Sequence, residues 1–267
     1  MTLEIIETSA SNFLEIASEK RLEIILHLQE KNEKLSGIAK KLDCSMPETY
    51  RNCERLLKTG MICKDSNGLF GLTPLGRMVC DQLPTFSFVS DNKDFFINHN
   101  FDLLPLKFKH RIGELSISNH VKGFSKVLQI WKDMFNDADK YILGIVYEEP
   151  LDLIETIVQR ASDGIQINSI FSQSPIILQG RKQIVQKPTV RKLFSSGMIQ
   201  RKINKKLEVI VVLNEKRASV IFQNELGEFD FSQMFYSNSP VFHEWCYDYF
   251  WHKWDSSNSF QECKLVE

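Results

Sequence analysis

At 267 residues, with 43% hydrophobic and 25% charged side chains, the chain has the composition of ordinary globular protein and the length for two cores, since single domains run to roughly 100–200 residues. Its formal net charge of −1 excludes no partner, because a nucleic acid is met by a local basic face and not by a basic total. No apolar run approaches the roughly 18–20 residues of a membrane span and no basic-then-apolar leader opens the chain, so a cytoplasmic protein without membrane contact is expected.

The cysteines Cys44, Cys53, Cys63, Cys80, Cys246 and Cys263 include no C-x-x-C pair, which argues against a zinc ribbon or a secreted disulfide frame. In chain order, the apolar spacing of Phe13, Leu14, Ala17, Leu22, Ile25 and Leu26 predicts one helix from Ser11 to Asn32. Leu35, Ile38, Ala39 and Leu42 then form a single stripe on about two turns, too short to hold unless packed. Asp43 and Cys44 supply a turn. Ser45-Met46-Pro47-Glu48 has the S-x-x-E form of a capping box, and a third helix runs from it to about Thr59, ending at Gly60.

On that helix Cys53, Leu56 and Leu57 are expected to face the core, which leaves Thr49, Arg51, Asn52 and Arg55 largely outside. Met61–Cys63 and Leu69–Leu72 read as two short strands joined through Asn67-Gly68, a hairpin signal because both residues tolerate positive φ. Two short helices across a tight turn followed by a hairpin is the layout of a winged helix-turn-helix, whose second helix enters the major groove of double-stranded DNA. Thr49, Tyr50, Arg51, Asn52 and Arg55 are therefore the candidates for the groove, with Lys58 and Lys64 for the phosphates. From Lys40 to Lys64 the cations Lys40, Lys41, Arg51, Arg55, Lys58 and Lys64 outnumber Asp43, Glu48 and Glu54, so binding is expected to weaken with salt.

The next residues, Leu69-Phe70-Gly71-Leu72-Thr73-Pro74-Leu75-Gly76-Arg77, resemble the second wing strand and following helix of ArsR-like and TrmB-like archaeal regulators. Phe95-Phe96-Ile97-Asn98-His99, Leu104-Pro105 and Arg111-Ile112-Gly113-Glu114-Leu115 resemble the start of the effector domain in the FilR family of archaeal regulators. Ala218–Phe222, Gly227–Phe231 and Phe242–Trp251 are similar to its closing strand, turn and aromatic helix. The resemblance spans nearly the whole chain and implies a transcriptional regulator whose C-terminal domain, related to TrmB-like and phospholipase-D-like sheets, answers to an effector.

Residues 84–94, with Pro84, Ser87, Ser90, Asp91 and Asn92 and no helical period, read as a linker between a domain at 1–83 and one at 95–267. Beyond it, strands are expected at Tyr141–Tyr147, Ile165–Phe171, Leu207–Leu213 and Arg217–Phe222. Helices are expected near Ser118–Phe135, Leu151–Ala161, Thr189–Ser195 and Val241–Trp254. The alternation predicts an α/β sheet, and the whole chain an α+β protein.

A phospholipase-D hydrolase needs H-x-K-x-x-x-x-D. His120-Val121-Lys122 is the one H-x-K, and the position of its carboxylate is Val127, so no such activity is expected, nor is a cofactor. Two features remain as effector determinants. Arg181, Lys182, Lys187, Arg191, Lys192, Arg201, Lys202, Lys205 and Lys206 form a run with no acid, of which Arg191 and Lys192 are the chosen candidates for an anionic ligand or for extra DNA contact. His99, Tyr147, Glu148 and Glu149 are the others, Tyr147 to Glu149 because they follow a strand in an α/β pattern. The leading expectation is a homodimer presenting two recognition helices to two half-sites, with the alternatives of a metal or redox sensor acting through Cys44, Cys53 or Cys63 and of an enzyme that uses its N-terminal domain only for interaction.

Overall fold

The computed structural model describes residues 3–148, 151–176 and 180–260. They form a mixed α+β structure in two compact units, 1–86 and 87–267.

The N-terminal unit opens with α1 (Leu3–Ile16) and α2 (Glu19–Glu30). The single helix expected over Ser11–Asn32 is therefore broken at Ala17-Ser18. Ser18 takes an extended conformation, and the Arg21 guanidinium donates to the carbonyls of Leu14 and Glu15 at 3.0 and 2.8 Å. It thereby satisfies groups that the last turn of α1 leaves open. Strand β1 (Glu33–Lys34), which the sequence does not announce, precedes α3 (Leu35–Lys41) and α4 (Met46–Lys58). Between the helices Asp43 adopts a left-handed φ of 49°, a conformation aspartate tolerates better than most residues.

A hairpin follows, β2 (Ile62–Lys64) and β3 (Leu69–Leu72), and β1 pairs with β3 to give the order β1-β3-β2. Its connection differs from the two-residue turn expected at Asn67-Gly68. Gly68 alone has a positive φ, 79°. The Asp65 carboxylate accepts from the backbone of Asn67 and Leu69 at 2.9 and 2.8 Å, so a four-residue loop closes the hairpin. Ile24, Ile25, Leu28, Ile38, Cys53 and Leu56 make the core of this unit.

Helix α5 (Pro74–Asp91) corrects the linker expected at 84–94. Pro84 lies inside the helix, where it forfeits its bond to the carbonyl four residues earlier and its ring crowds that carbonyl, and the boundary between the two units falls within α5 at Phe86/Ser87.

The second unit continues with α6 (Lys93–Ile97), β4 (His99–Asn100), α7 (Leu106–His110), a 3-10 turn at Ile112–Leu115 and β5 (Asn119–Lys122). Next come α8 (Phe124–Asn136), β6 (Tyr141–Glu148), α9 (Leu151–Ser162) and β7 (Gln166–Ile176). After them lie α10 (Arg181–Val185), α11 (Pro188–Ser195), β8 (Ile199–Asn204) and β9 (Val209–Asn214). The last elements are β10 (Ala218–Asn224), β11 (Gln233–Ser237), α12 (Pro240–Asp255) and β12 (Asn258–Ser259). The helix expected from Ser118 is a strand to Lys122 and turns helical only after Gly123, whose φ of 113° breaks the run.

These strands form one sheet in the order β12-β8-β7-β6-β9-β10-β11-β5, with β4 added beside β10. The pairs β6–β7 and β7–β8 are parallel. Alternation along the central strands feeds two cores. Leu143, Ile145, Val211 and Val220 face α12 with its Trp245, Tyr249 and Phe250. Ile142, Ile210, Val212 and Ile221 face α8 and α9. The aromatic C-terminal helix thus belongs largely to the core, and Trp245, Tyr249 and Phe250 have no exposure at all.

Candidate nucleic-acid interface

Of the capping box expected at Ser45–Glu48, at the start of helix α4, the structure shows the serine half. The Ser45 hydroxyl accepts from the backbone N–H of Glu48, Pro47 stands in the first turn, and Gly60 ends the helix with φ 73°. Burial of Cys53 and Leu56 sets its rotation, with Leu57 half-buried.

Thr49 is a correction. It is 1% exposed, and its hydroxyl donates to the carbonyl of Ser45 at 3.0 Å, the back-bond a threonine makes inside a helix. It therefore faces the core and cannot reach a groove. Arg51 is exposed and makes no ion pair among the described residues. Tyr50 is half exposed, its hydroxyl pKa raised by the charge of Glu54 one turn on. Asn52 is half-buried, and Lys58 is exposed. Lys64 on the hairpin lies over the Phe70 ring at 5.3 Å, which holds its ammonium beside the β2–β3 hairpin.

Arg55 is exposed as expected, yet it is engaged. Its guanidinium forms a bidentate pair with Glu15 of α1, at 2.9 and 2.6 Å. Arg21 pairs with the same carboxylate at 2.9 Å. The hydrogen bond from Arg55, with the charges of both arginines, holds Glu15 below the usual carboxylate range. Forty residues separate these partners, so no local pattern announces them.

The element that follows explains the L-T-P-L-G segment physically. The Thr73 hydroxyl donates to the Gly60 carbonyl at 2.6 Å and accepts from the Gly76 N–H at 3.1 Å, tying the start of α5 to the end of α4. A side chain at Gly76 would collide with the Met61 carbonyl oxygen.

Burial pushes the Cys53 thiol up to about 11, which keeps it protonated and poorly suited to metal ligation or oxidation. Cys44 is half-buried and Cys63 exposed, while Cys263 lies outside the described residues. Among the described residues no three His, Cys, Asp or Glu side chains are grouped to hold a metal.

The effector candidates are not brought together. His99 is buried, its Nδ1 2.8 Å from the Phe95 carbonyl and its Nε2 3.3 Å from Asp230, with its ring stacked on Phe95. It is a core residue. Tyr147 packs on the opposite face of the sheet, against the α8–α9 side. Glu149 lies outside the described residues. Arg191 and Lys192 are exposed on α11, whereas Arg181 of the same basic run is buried and Arg201 stacks on Phe194 and Phe260 at 3.7 and 4.4 Å. His120 of the H-x-K sequence stacks on Phe235 at 4.5 Å, its pKa lowered by burial and by the charge of Lys122. Val127, where a hydrolase would need its carboxylate, is a wholly buried core residue.

No protein-family model and no curated protein matches the chain. Among solved structures, TrmBL2, an archaeal chromatin protein with a novel mode of DNA binding, is similar over 91% of this chain and 94% of its own at 11% identity and a TM-score of 0.41. Nuc from Salmonella typhimurium, a phospholipase D family member, is similar over 54% of this chain and 99% of its own, at 11% identity and a TM-score of 0.38. NucT from Helicobacter pylori covers 54% of this chain and 98% of its own at 12% identity and a TM-score of 0.39. Likenesses this distant carry neither fold nor function over to this chain.

Proposed function

We propose that the protein is a DNA-binding transcriptional regulator, in which α3 and α4 form the helix-turn-helix, the β2–β3 hairpin is its wing and a homodimer meets two half-sites. The observation that supports it best is the solvent face of α4, where Arg51 stands exposed without an acidic partner beside Tyr50, with Lys58 at the end of the helix and Lys64 on the hairpin. An unpaired guanidinium on the outer face of a capped, well-packed helix is placed for bidentate contact with guanine, and the lysines for phosphates. Resemblance of Leu69–Arg77 to ArsR-like and TrmB-like regulators and of the C-terminal aromatic helix to the FilR family favours a regulator of the FilR kind, with the second unit answering to an effector. No catalytic step forms part of this proposal.

Fluorescence anisotropy of the protein on its own upstream DNA and on random duplex, at two salt concentrations, tests it. Arg51→Ala is expected to cost about 1–3 kcal/mol of specific binding, roughly 5- to 150-fold, and to leave thermal stability unchanged. Equal affinity of wild type and Arg51→Ala for the upstream DNA would reject α4 as the reading helix.

A further inference from the structure

Helices α1 and α5 are each anchored at one end by polar contacts. Glu15 ties the end of α1 to Arg55 of α4, and Thr73 ties the start of α5 to the Gly60 carbonyl. Between the two helices a space of about 250 Å3 is open to a water-sized molecule. An engineered apolar cavity of about 150 Å3 stays dry and takes up benzene, so this one has room for two fused rings. Its floor is Met61, a buried core residue, and its walls are Ile16 of α1 with Val79 and Leu83 of α5. Apolar side chains around a void forgo dispersion contacts that an apolar occupant restores.

The rim is aromatic. Phe13 and Phe86, both more than half exposed, meet edge to face with ring centroids 6.1 Å apart. Their contact joins α1 to α5 across the mouth, which bars a partner helix about 10 Å across and favours a small, flat occupant. Polar groups are few and neutral. Ser9, Asn12 and Gln82 line the space, and the two side-chain amides make no hydrogen bond among the described residues. None of the described residues lining it carries a charge, so an ionised ligand would lose its hydration without compensation.

We infer that the space between α1 and α5 binds an uncharged, fused two-ring aromatic molecule that offers a hydrogen-bonding group to Asn12 and Gln82. The Phe13 and Phe86 rings pair with such a ligand beyond the area they bury, and the polarizable Met61 thioether lies beneath it. Ile16 stands next to Glu15, the partner of Arg55, so occupancy reaches the solvent face of α4 through α1. That consequence alone rests on the proposed DNA binding; ligand binding itself is independent of it.

Three probes are titrated into the full chain and followed by fluorine NMR: 6-fluoroindole, a neutral donor; 2-fluoronaphthalene, which lacks the donor; and 6-fluoro-2-naphthoate, which is charged. Saturable binding of the first two and none of the third is expected. Ser9→Leu adds a branched chain to the cavity at a helical position where leucine is the better helix former, and it should weaken both neutral probes by roughly tenfold. Leu83→Trp fills the opposite wall and should do the same. Asn12→Leu/Gln82→Leu should weaken 6-fluoroindole by roughly 2- to 12-fold, the share of one neutral hydrogen bond, and leave 2-fluoronaphthalene bound at least as tightly. Absence of saturation in wild type, equal affinity in folded Ser9→Leu and Leu83→Trp, or equal binding of the naphthoate overturns the site. Binding that appears only on dilution to a monomer assigns the groove to a second copy of the chain and overturns it as well. Saturable binding that meets these tests in a protein without DNA affinity upholds the site and removes the regulator alone.

Discussion

Arg51 and Arg55 sit one turn apart on α4 and look equivalent in the sequence, but the structure separates them. Arg51 is free among the described residues, whereas Arg55 is held by Glu15. If the proposed DNA binding holds, Arg55 must leave that carboxylate to touch DNA, and Glu15 would then compete with the phosphate backbone. Glu15→Gln removes the competing charge, and we expect it to raise DNA affinity and steepen the salt dependence by roughly 0.9 in log–log slope per protomer, one added phosphate contact. The double variant Glu15→Gln/Arg55→Gln should lose that gain; an unchanged slope in Glu15→Gln would show that Arg55 never reaches the backbone.

The sign of the pH effect follows from the lowered pKa of Glu15. A carboxyl depressed by its partners contributes stability above its unfolded pKa and loses it as pH falls through the lower folded value. The advantage of Glu15→Gln over wild type is therefore expected to be flat across roughly pH 6–8 and to shrink in acid. Thr49 teaches the complementary lesson. Periodicity alone placed it with the exposed residues, and it was the back-bond to Ser45 and the rotation imposed by Cys53 and Leu56 that turned it inward.

Elements were legible where their signals were local. The cap at Ser45, the stripe of α3, the glycine stop at Gly60 and the central strands of the second unit all follow from neighbouring residues. What escaped depended on distant partners. Strand β1 exists because β3 is there to pair with it, and the edge strand β5 is held by β11 although its residues can also be read as the start of α8. Helix α5 continues past Pro84 although the proline loses a bond and crowds the carbonyl four residues earlier, and Cys80 and Phe88 are both buried along it. The effector candidates were the least legible, since only the sheet shows that His99 and Tyr147 occupy opposite faces.

Two predictions belong at this scale. Gly76→Ala drives a methyl into the Met61 carbonyl oxygen and should cost about 1–3 kcal/mol. The melting transition of the N-terminal unit would then fall by roughly 4–8 °C per kcal/mol, and an unchanged melting profile in calorimetry would mean that α5 can shift without cost. In the second unit, Lys253 of α12 pairs with Glu208 at 2.5 Å, both nearly buried, while the Tyr249 hydroxyl donates to the same carboxylate at 2.6 Å. Lys253→Met leaves that carboxylate without its cation and should cost about 3–5 kcal/mol. Adding Glu208→Gln to it should recover part of the loss; no recovery by urea titration would place the effect in packing of the lysine stem instead.

At the scale of the molecule the charge must be reconciled with the proposed DNA binding. The N-terminal unit has no cationic excess, carrying one more acid than base over residues 1–86, so affinity has to come from the arrangement of charge on one face. Glu15 and Arg21 neutralise each other at the α1–α2 junction, Lys20 pairs with Glu23 and Lys31 with Glu33. Lys58 and Lys64 have no acidic partner among the described residues, and the proposed function assigns them to the phosphates. Neutralising both, Lys58→Gln/Lys64→Gln, removes two counterion-releasing contacts per protomer at roughly 0.9 each. The slope of log affinity against log salt is then expected to flatten by about 2 if one protomer binds and by about 4 if a homodimer spans two half-sites. The same titration on Arg191→Gln/Lys192→Gln asks whether the second unit also meets the DNA. Because the arginine and lysine stand on the surface of α11 without acidic partners among the described residues, a further flattening of about 2 per protomer would extend the footprint to that unit. An unchanged slope would confine DNA contact to the N-terminal unit and leave α11 for another anion or for solvent.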